Sequence, residues 1–130
     1  YAMNGDELVA VDFSGLLASH RASGAVATVA VARPMSQFAQ VEITDDDVVT
    51  GFHEVAQVPY WVNCGIYVLS DEALERFPEK GDHETTAFPD FVREGTLRAF
   101  RHEGLWLTVN TPKELRRADE YVTSNPDWLR

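Results

Sequence analysis

Apolar residues fall into short runs separated by turn-forming residues, and one run stands out. Residues 60–70, YWVNCGIYVLS, form the longest nearly unbroken apolar stretch. A short run rich in Val, Ile, Tyr and Trp predicts a strand covered on both faces, as central strands of α/β sheets are. Asn63 is the one amide inside it, two residues before Gly65. An unpaired buried amide costs roughly 1–3 kcal/mol. Asn63 is therefore either tied to neighbouring backbone or faces a cleft and contacts a polar ligand, and the pattern leaves both open.

The remaining pattern predicts alternating strands and helices. Residues 1–3 read as the tail of a buried strand. With no initiating Met and an apolar start, upstream sequence is expected to be missing or to lie on another chain. Asn4-Gly5-Asp6 is a turn signal ending in a carboxylate, and strand-end loops are where open α/β sheets bind ligands. Asp12 or Ser14 can cap a helix to about Ala22, with Leu16, Leu17 and His20 at helical spacing and Gly24 as its stop. Residues 25–31 read as a buried strand, and 34–37 as a loop. Residues 38–43 alternate, Asp45-Asp46-Asp47 make a turn and 48–53 return, which is a hairpin. Residues 54–59 form a loop. Ser70 caps a short helix over 71–77, residues 78–84 are a polar loop, and 85–94 form a helix with Pro89 in its first turn. Two short strands follow, at 97–102 and 105–109. Thr111-Pro112-Lys113-Glu114 combines a capping Thr, Pro at the first helical position and Glu at the third. That helix runs to about Ser124, with Leu115, Ala118 and Val122 on its buried stripe, and Asn125-Pro126 ends it. The chain shows no repeat or linker, so 1–130 reads as one α/β domain with a mixed sheet.

Composition narrows the partners. A length of 130 residues, 45% hydrophobic and 25% charged, suits one soluble domain with a core. No run approaches the ~20 residues of a membrane span, and no basic start precedes an apolar block as in a signal peptide. The single cysteine, Cys64, excludes an internal disulfide and suits a reducing cytoplasm. Eleven Lys+Arg against 21 Asp+Glu leave a net charge of −10, which argues against a nucleic-acid or anionic-membrane partner. A phosphorylated substrate would need a divalent cation or a basic segment to supply positive charge.

Most local motifs are bland. The three adjacent Asp lack the alternation, glycine and distal Glu of a hand-type calcium loop. His53-Glu54, His83-Glu84 and His102-Glu103 repeat a dipeptide but none extends to the zinc-protease pattern, so they read as solvated pairs. Cys64, in an apolar strand, reads as a small hydrophobe, and no G-x-S-x-G elbow is present. What remains is a rim: Asp6 at a strand end, with Glu54 and Asn63 at the ends or faces of neighbouring strands. Asp6 could hold Mg²⁺ against phosphate oxygens, since Mg²⁺ takes one or two carboxylates plus phosphates. Glu54 and Asn63 could hydrogen-bond a polyol.

Taken in order, Asn4-Gly5-Asp6, the helix ending at His20, residues 27–31, residues 38–41, Val49-Thr50-Gly51-Phe52-His53-Glu54, residues 60–70 and Trp106 to Thr111-Pro112 closely resemble the second half of the sugar-1-phosphate nucleotidylyltransferases. Mannose-1-phosphate guanylyltransferase, the most similar group, and glucose-1-phosphate thymidylyltransferase are familiar examples. The resemblance implies a mixed-sheet, three-layer nucleotide-diphospho-sugar transferase (Rossmann-like) fold, second half only. The chain would then be a fragment of a longer domain whose other half, or a partner chain, is missing. A homo-oligomer is possible in such a family. The implied activity joins a nucleoside triphosphate to a sugar 1-phosphate with release of pyrophosphate, assisted by Mg²⁺. Asp6 matches the family's first Mg²⁺ ligand and is the candidate catalytic residue. Glu54 matches the sugar-binding Glu of its E-K-P motif. Asn63 and Gly65 match the sugar-contacting part of V-N-x-G-I-Y. Asn4, Gly5 and Ala39 complete the candidate substrate contacts.

The departures from the family pattern are specific. The E-K-P lysine is Val55, and its proline is Ala56. The glycine expected after Phe38 is Ala39. In the W-x-D-x-G-T segment, Thr108 replaces the second metal-binding Asp and Asn110 replaces the Gly. Lys113 or Arg33 are the candidates to supply the missing cation. The glycine-rich G-x-G-T-R triphosphate loop is absent, so the 130-residue chain alone is expected to be inactive. Two alternatives follow: a catalytically degenerate module that binds a sugar or nucleotide sugar and regulates a true enzyme, and a structural partner that pairs its sheet edge with another chain.

Overall fold

The computed structural model describes residues 1–36, 38–54 and 56–128. In chain order the strands are β1 (Ala2–Met3), β2 (Glu7–Val9), β3 (Ala27–Ala32), β4 (Gln40–Ile43), β5 (Val49–His53), β6 (Val62–Leu69), β7 (Leu97–Arg101) and β8 (Trp106–Thr108). The helices are α1 (Phe13–Ser23), α2 (Asp71–Glu75), α3 (Ala87–Glu94) and α4 (Pro112–Ser124). A four-stranded sheet has the order β1-β6-β3-β7, and two further pairs, β2-β8 and β4-β5, stand apart from it. β6 runs antiparallel to both β1 and β3, while β3 and β7 are parallel. The α/β mixed-sheet reading is thus correct, and the long apolar run is indeed central.

The sheet separates two cores, giving three layers. On one face Ala30, Ala32, Ile66 and Val68 pack with Leu16 of α1 and Val9 of β2. On the other, Ala27 and Tyr67 pack with Ala73 of α2 and with Phe88 and Phe91 of α3. The alternation of a strand between its faces requires this split. Leu16, Ile66 and Phe91 are fully buried, each contributing roughly 1.5–3 kcal/mol relative to an exposed side chain. The helix ends follow local chemistry. Asp12, rather than Ser14, caps α1, its Oδ1 accepting from the Gly15 N–H at 2.8 Å. Thr111 caps α4, accepting from the Glu114 N–H at 3.2 Å. Pro89 sits at the third position of α3, where no intrahelical N–H partner is lost.

β6 carries an irregularity that matters for the site. Val29 opposes Tyr67 and Val31 opposes Asn63, so extra residues of β6 bulge between them. Gly65 occupies the bulge with φ +68°, a left-handed conformation that glycine adopts without a Cβ penalty. A Cβ there would also lie 2.6 Å from Asn4 Nδ2. Gly65→Ala is expected to cost about 1–2 kcal/mol from backbone conformation alone, and to push Asn4 away from β6. Denaturant unfolding measures the loss, and an unchanged midpoint would contradict this account of the bulge.

Three expectations are corrected, and one strand is added that the pattern did not announce. Residues 1–3 are not a buried strand: β1 is a two-residue edge strand with Tyr1 and Met3 exposed. β2 was hidden in the pattern because three residues after a turn carry too little periodicity, and their partner β8 lies far along the chain. On α4 only Ala118 of the expected stripe is buried; Leu115 is 58% exposed and Val122 is exposed, because no element among the described residues covers that side. The hairpin strand β5 pairs only with β4 and is not a neighbour of β6, and its Phe52 is 68% exposed. No helix among the described residues is long and apolar enough to cross a membrane.

Candidate functional site

β1, β3 and β7 point the same way, so their carboxyl ends share one edge of the sheet. That edge carries the Asn4–Asp6 turn after β1, Arg33 after β3, and Arg101-His102 at the end of β7. The start of β6, with Trp61 and Asn63, meets the same edge because β6 is antiparallel. Ligands of open α/β sheets bind outside the carboxyl ends of strands. The topology therefore gathers polar residues from four segments where a ligand is expected.

Asp6 is exposed, and its carboxylate has no hydrogen bond or ion pair among the described residues. Its backbone is fixed, since the Val109 N–H donates to Asp6 O at 2.8 Å. The neighbouring Glu7 points elsewhere, accepting from Trp106 Nε1 at 2.8 Å. Burial raises the Glu7 carboxyl above its ordinary value, the Trp106 hydrogen bond opposes this, and the Asp6 charge adds to the rise. Asn4 lies against the bulge, its N–H donating to Gly65 O at 2.7 Å, and Gly5 faces open space.

Asn63 is exposed rather than enclosed in the buried run that follows it. Its amide is nonetheless engaged. Oδ1 accepts from the Gly65 N–H at 2.8 Å, and Nδ2 donates to Tyr67 Oη at 2.7 Å and to Glu84 Oε1 at 2.5 Å. Tyr67 in turn donates to Glu84 Oε1 at 2.9 Å. Burial, reinforced by the Glu84 carboxylate and opposed by Asn63, raises the Tyr67 phenol well above its ordinary range and keeps it a donor.

The other expected residues are dispersed. Glu54 is exposed just past β5, with no bond to Asp6 or Asn63 among the described residues. β5, which leads into Glu54, pairs only with β4 and stands outside the main sheet, whereas Asp6 and Asn63 belong to segments at its carboxyl edge. Ala39 is half-buried just before β4. Val55, where the resemblance places a lysine, lies outside the described residues, as does Gln37. The Thr108 hydroxyl is 3.4 Å from Glu114 Oε1. Thr111 and the Asn110 N–H also bond Glu114 and hold its carboxyl below its ordinary value. Two His-Glu pairs are not solvated as expected. His102 is buried, with Nε2 at 2.9 Å from Leu105 O, and His83 packs among Phe77, Tyr67 and Phe88. Cys64 is buried and its thiol is pushed up to about 12 by burial and then by the Glu7 charge, so it is inert as expected.

The structure adds a feature that the pattern only half announced. The Arg33 and Arg101 guanidiniums both lie over the Trp61 ring, 4.4 and 5.3 Å from its centroid. Neither joins an ion pair among the described residues. Arg33 borders a cleft of about 530 Å³ that also takes in Gln57, Trp61, Glu103 and Arg117. A second cleft of about 470 Å³ adjoins it across Met35 and Trp106 and reaches Thr108 and Glu114. Lys113, the other candidate cation, lines a third hollow with Arg117, away from Trp61. An arginine directly after a buried strand is a readable signal; its stacking on a distant tryptophan is not.

Layered helices around a mixed sheet are also the architecture of a "Putative Glucose-1-Phosphate Thymidylyltransferase" from Bacillus anthracis, with a TM-score of 0.61 and 16% identity over 90% of this chain and 51% of that one. The crystal structure of HddC from Yersinia pseudotuberculosis shares it, with a TM-score of 0.63 and 22% identity over 92% of this chain and 53% of that one. In sequence, the chain is homologous to part of the sugar-1-phosphate nucleotidylyltransferases. It is 31% identical over 121 residues to mannose-1-phosphate guanyltransferase of Schizosaccharomyces pombe, covering 88% of this chain and 33% of that protein. It is 29% identical over 113 residues to a Bacillus subtilis protein named "Probable glucose-1-phosphate cytidylyltransferase", covering 85% of this chain and 44% of that one. The chain thus spans between a third and a half of the length of these relatives. No family model matches it.

Proposed function

We propose that this chain is the sugar-phosphate-binding part of a sugar-1-phosphate nucleotidylyltransferase, and that Arg33 and Arg101 hold the phosphate of the sugar 1-phosphate. The observation that carries this reading is their shared position over Trp61. Two guanidiniums over one ring repel each other unless an anion lies between or beside them. In a chain of net charge −10, these two have no carboxylate partner among the described residues. They stand at adjacent parallel strand ends, on the edge where ligands bind, and would supply the charge that Val55 does not.

The reaction would be in-line attack of the sugar phosphate on the α-phosphorus of a nucleoside triphosphate. Catalysis is then positioning plus stabilisation of developing charge. Asp6 fits a Mg²⁺ ligand because its carboxylate is exposed and uncommitted. Thr108 would bring a neutral hydroxyl, 3.4 Å from Glu114 Oε1, where the resemblance places a second carboxylate, and so would add no negative charge to the site. No group of three or more metal-binding side chains occurs among the described residues, so substrate phosphates and water would complete the shell. When bound, Mg²⁺ would neutralise phosphate charge. Asn4 and Gly5, which follow β1 on the same edge, would lie against the sugar.

The neutral Thr108 in place of a carboxylate also favours a second reading, a regulatory module that binds a sugar or nucleotide sugar without turning it over. Titrating the full-length protein calorimetrically with hexose 1-phosphate, with and without Mg²⁺, and then adding nucleoside triphosphate separates these readings. The first predicts binding followed by turnover, and the second binding alone. No heat of binding in either condition would overturn both.

A further inference from the structure

Resting on that reading, we propose that Trp61 couples Arg33 and Arg101 into one receptor for a phosphate carrying two charges. Such a receptor holds the phosphomonoester of the substrate more tightly than the singly charged group that it becomes on transfer. The sheet makes the arrangement. Ala32 opposes Val62, which brings Arg33 and Trp61, the next residues along, opposite each other where β3 ends and β6 begins. On the other side of β3, Val31 is in register with Arg101. Arg33 lies two residues beyond Val31, and residues two apart on a strand share a face. Arg33, Trp61 and Arg101 therefore stand on one face, with the guanidiniums 4.4 and 5.3 Å from the centroid of the same ring.

The backbone beneath them is held. Gln57 Nε2 donates to Arg33 O at 3.1 Å, the Val58 N–H to Pro34 O at 3.0 Å and the His102 N–H to Val31 O at 2.8 Å. The guanidiniums themselves are exposed and meet no carboxylate at ion-pairing distance among the described residues, although Glu103 lines the same cleft as Arg33 and Trp61. The negative face of the indole attracts both cations and keeps them close despite their mutual repulsion. Two guanidiniums so paired match a phosphomonoester, which carries two charges above a second ionisation at about 6. Transfer removes the match. A bond forms from a sugar-phosphate oxygen to the α-phosphorus, and the bond from that phosphorus to pyrophosphate breaks. The electron pair and its charge leave with pyrophosphate, and the phosphate of the sugar keeps one charge of its two. The receptor then grips the nucleotide sugar less tightly than it gripped the substrate.

The test is calorimetric titration of the full-length protein at pH 8 without Mg²⁺, using a hexose 1-phosphate and its methyl phosphodiester, which keeps the sugar but carries one charge. The unsubstituted protein is expected to bind the monoester about 10–100-fold more tightly, as gain of a charge-assisted hydrogen bond does. Trp61→Leu should weaken monoester binding about 5–30-fold, the loss of two cation–π contacts, and diester binding less, so the preference shrinks. Trp61→Phe keeps a ring of weaker attraction and should show a smaller loss of the same kind, which serves if the leucine variant does not fold. With Arg33→Ala already in place, Trp61→Leu should cost less than it does alone, since one of its two cations is gone. A tryptophan that merely packs would cost the same in both backgrounds. Equal affinity for the two esters, or an unchanged preference in the Trp61 variants, overturns the proposal and leaves phosphate binding at the arginines standing. Binding of neither ester by the unsubstituted protein removes the sugar-phosphate reading, and this proposal with it.

Discussion

Asp6→Ala is expected to lower nucleotide-sugar formation by the full-length protein about 100–1,000-fold, the range seen when one preorganised group facing developing charge is removed. The substitution should leave the fold intact. The Asp6 side chain makes no bond among the described residues, while its backbone oxygen is held by the Val109 N–H and the preceding turn by Asn4 and Gly65. The loss would therefore be electrostatic. Glu7 is next in the chain but is held by Trp106 and raised by burial, so it is poorly placed to substitute. Thr108 stands where the resemblance places a second metal-binding carboxylate, so on this reading the dependence on Asp6 should be steep. The check is a Mg²⁺ titration of kcat. The variant should need much more Mg²⁺ or lose its response, whereas an unchanged Mg²⁺ dependence would remove Asp6 from the site.

Arg33→Ala and Arg101→Ala should each raise KM for the sugar 1-phosphate about 10–100-fold, the value of a charge-assisted hydrogen bond, with a smaller change in kcat. Their effects should not add, because both guanidiniums share Trp61 and, on this reading, one phosphate. Arg33→Lys should recover only part of the loss, since an ammonium keeps the charge but gives up the planar fork and the stacking. Raising the salt concentration should weaken sugar-phosphate binding in the native protein more than in the double variant. A KM for sugar 1-phosphate that ignores both arginines would mean that the phosphate lies elsewhere on the sheet edge.

The parts legible in the sequence were those with local causes. The Thr111-Pro112-Glu114 cap, the acidic turn between β4 and β5 and the long apolar run of β6 each carry their signal within about ten residues, and each is found where expected. β1 was legible as a strand but not as an edge, because apolar residues announce burial without saying who supplies it. The same reason separates Leu115 and Val122, which have the spacing of a buried stripe, from their exposed positions on α4. Asp6 could be singled out from its place after a turn. The Arg33–Trp61–Arg101 stack and the bonds from Asn63 and Tyr67 to Glu84 could not, since they join residues 17 or more positions apart through the sheet order β6-β3-β7 and the loop between α2 and α3. The resemblance marked Asn63 as a sugar contact. Only the geometry shows that its amide is already spent on its neighbours.

The central claim is that this carboxyl edge presents a sugar 1-phosphate for nucleotidyl transfer. Its most direct measurement is to incubate the full-length protein with Mg²⁺, hexose 1-phosphates and each nucleoside triphosphate, and to follow pyrophosphate release and nucleotide-sugar formation together. Stoichiometric appearance of both products is expected for at least one pair, slowed about 100–1,000-fold by Asp6→Ala. Pyrophosphate release without a nucleotide sugar, or no reaction with any pair, would contradict it.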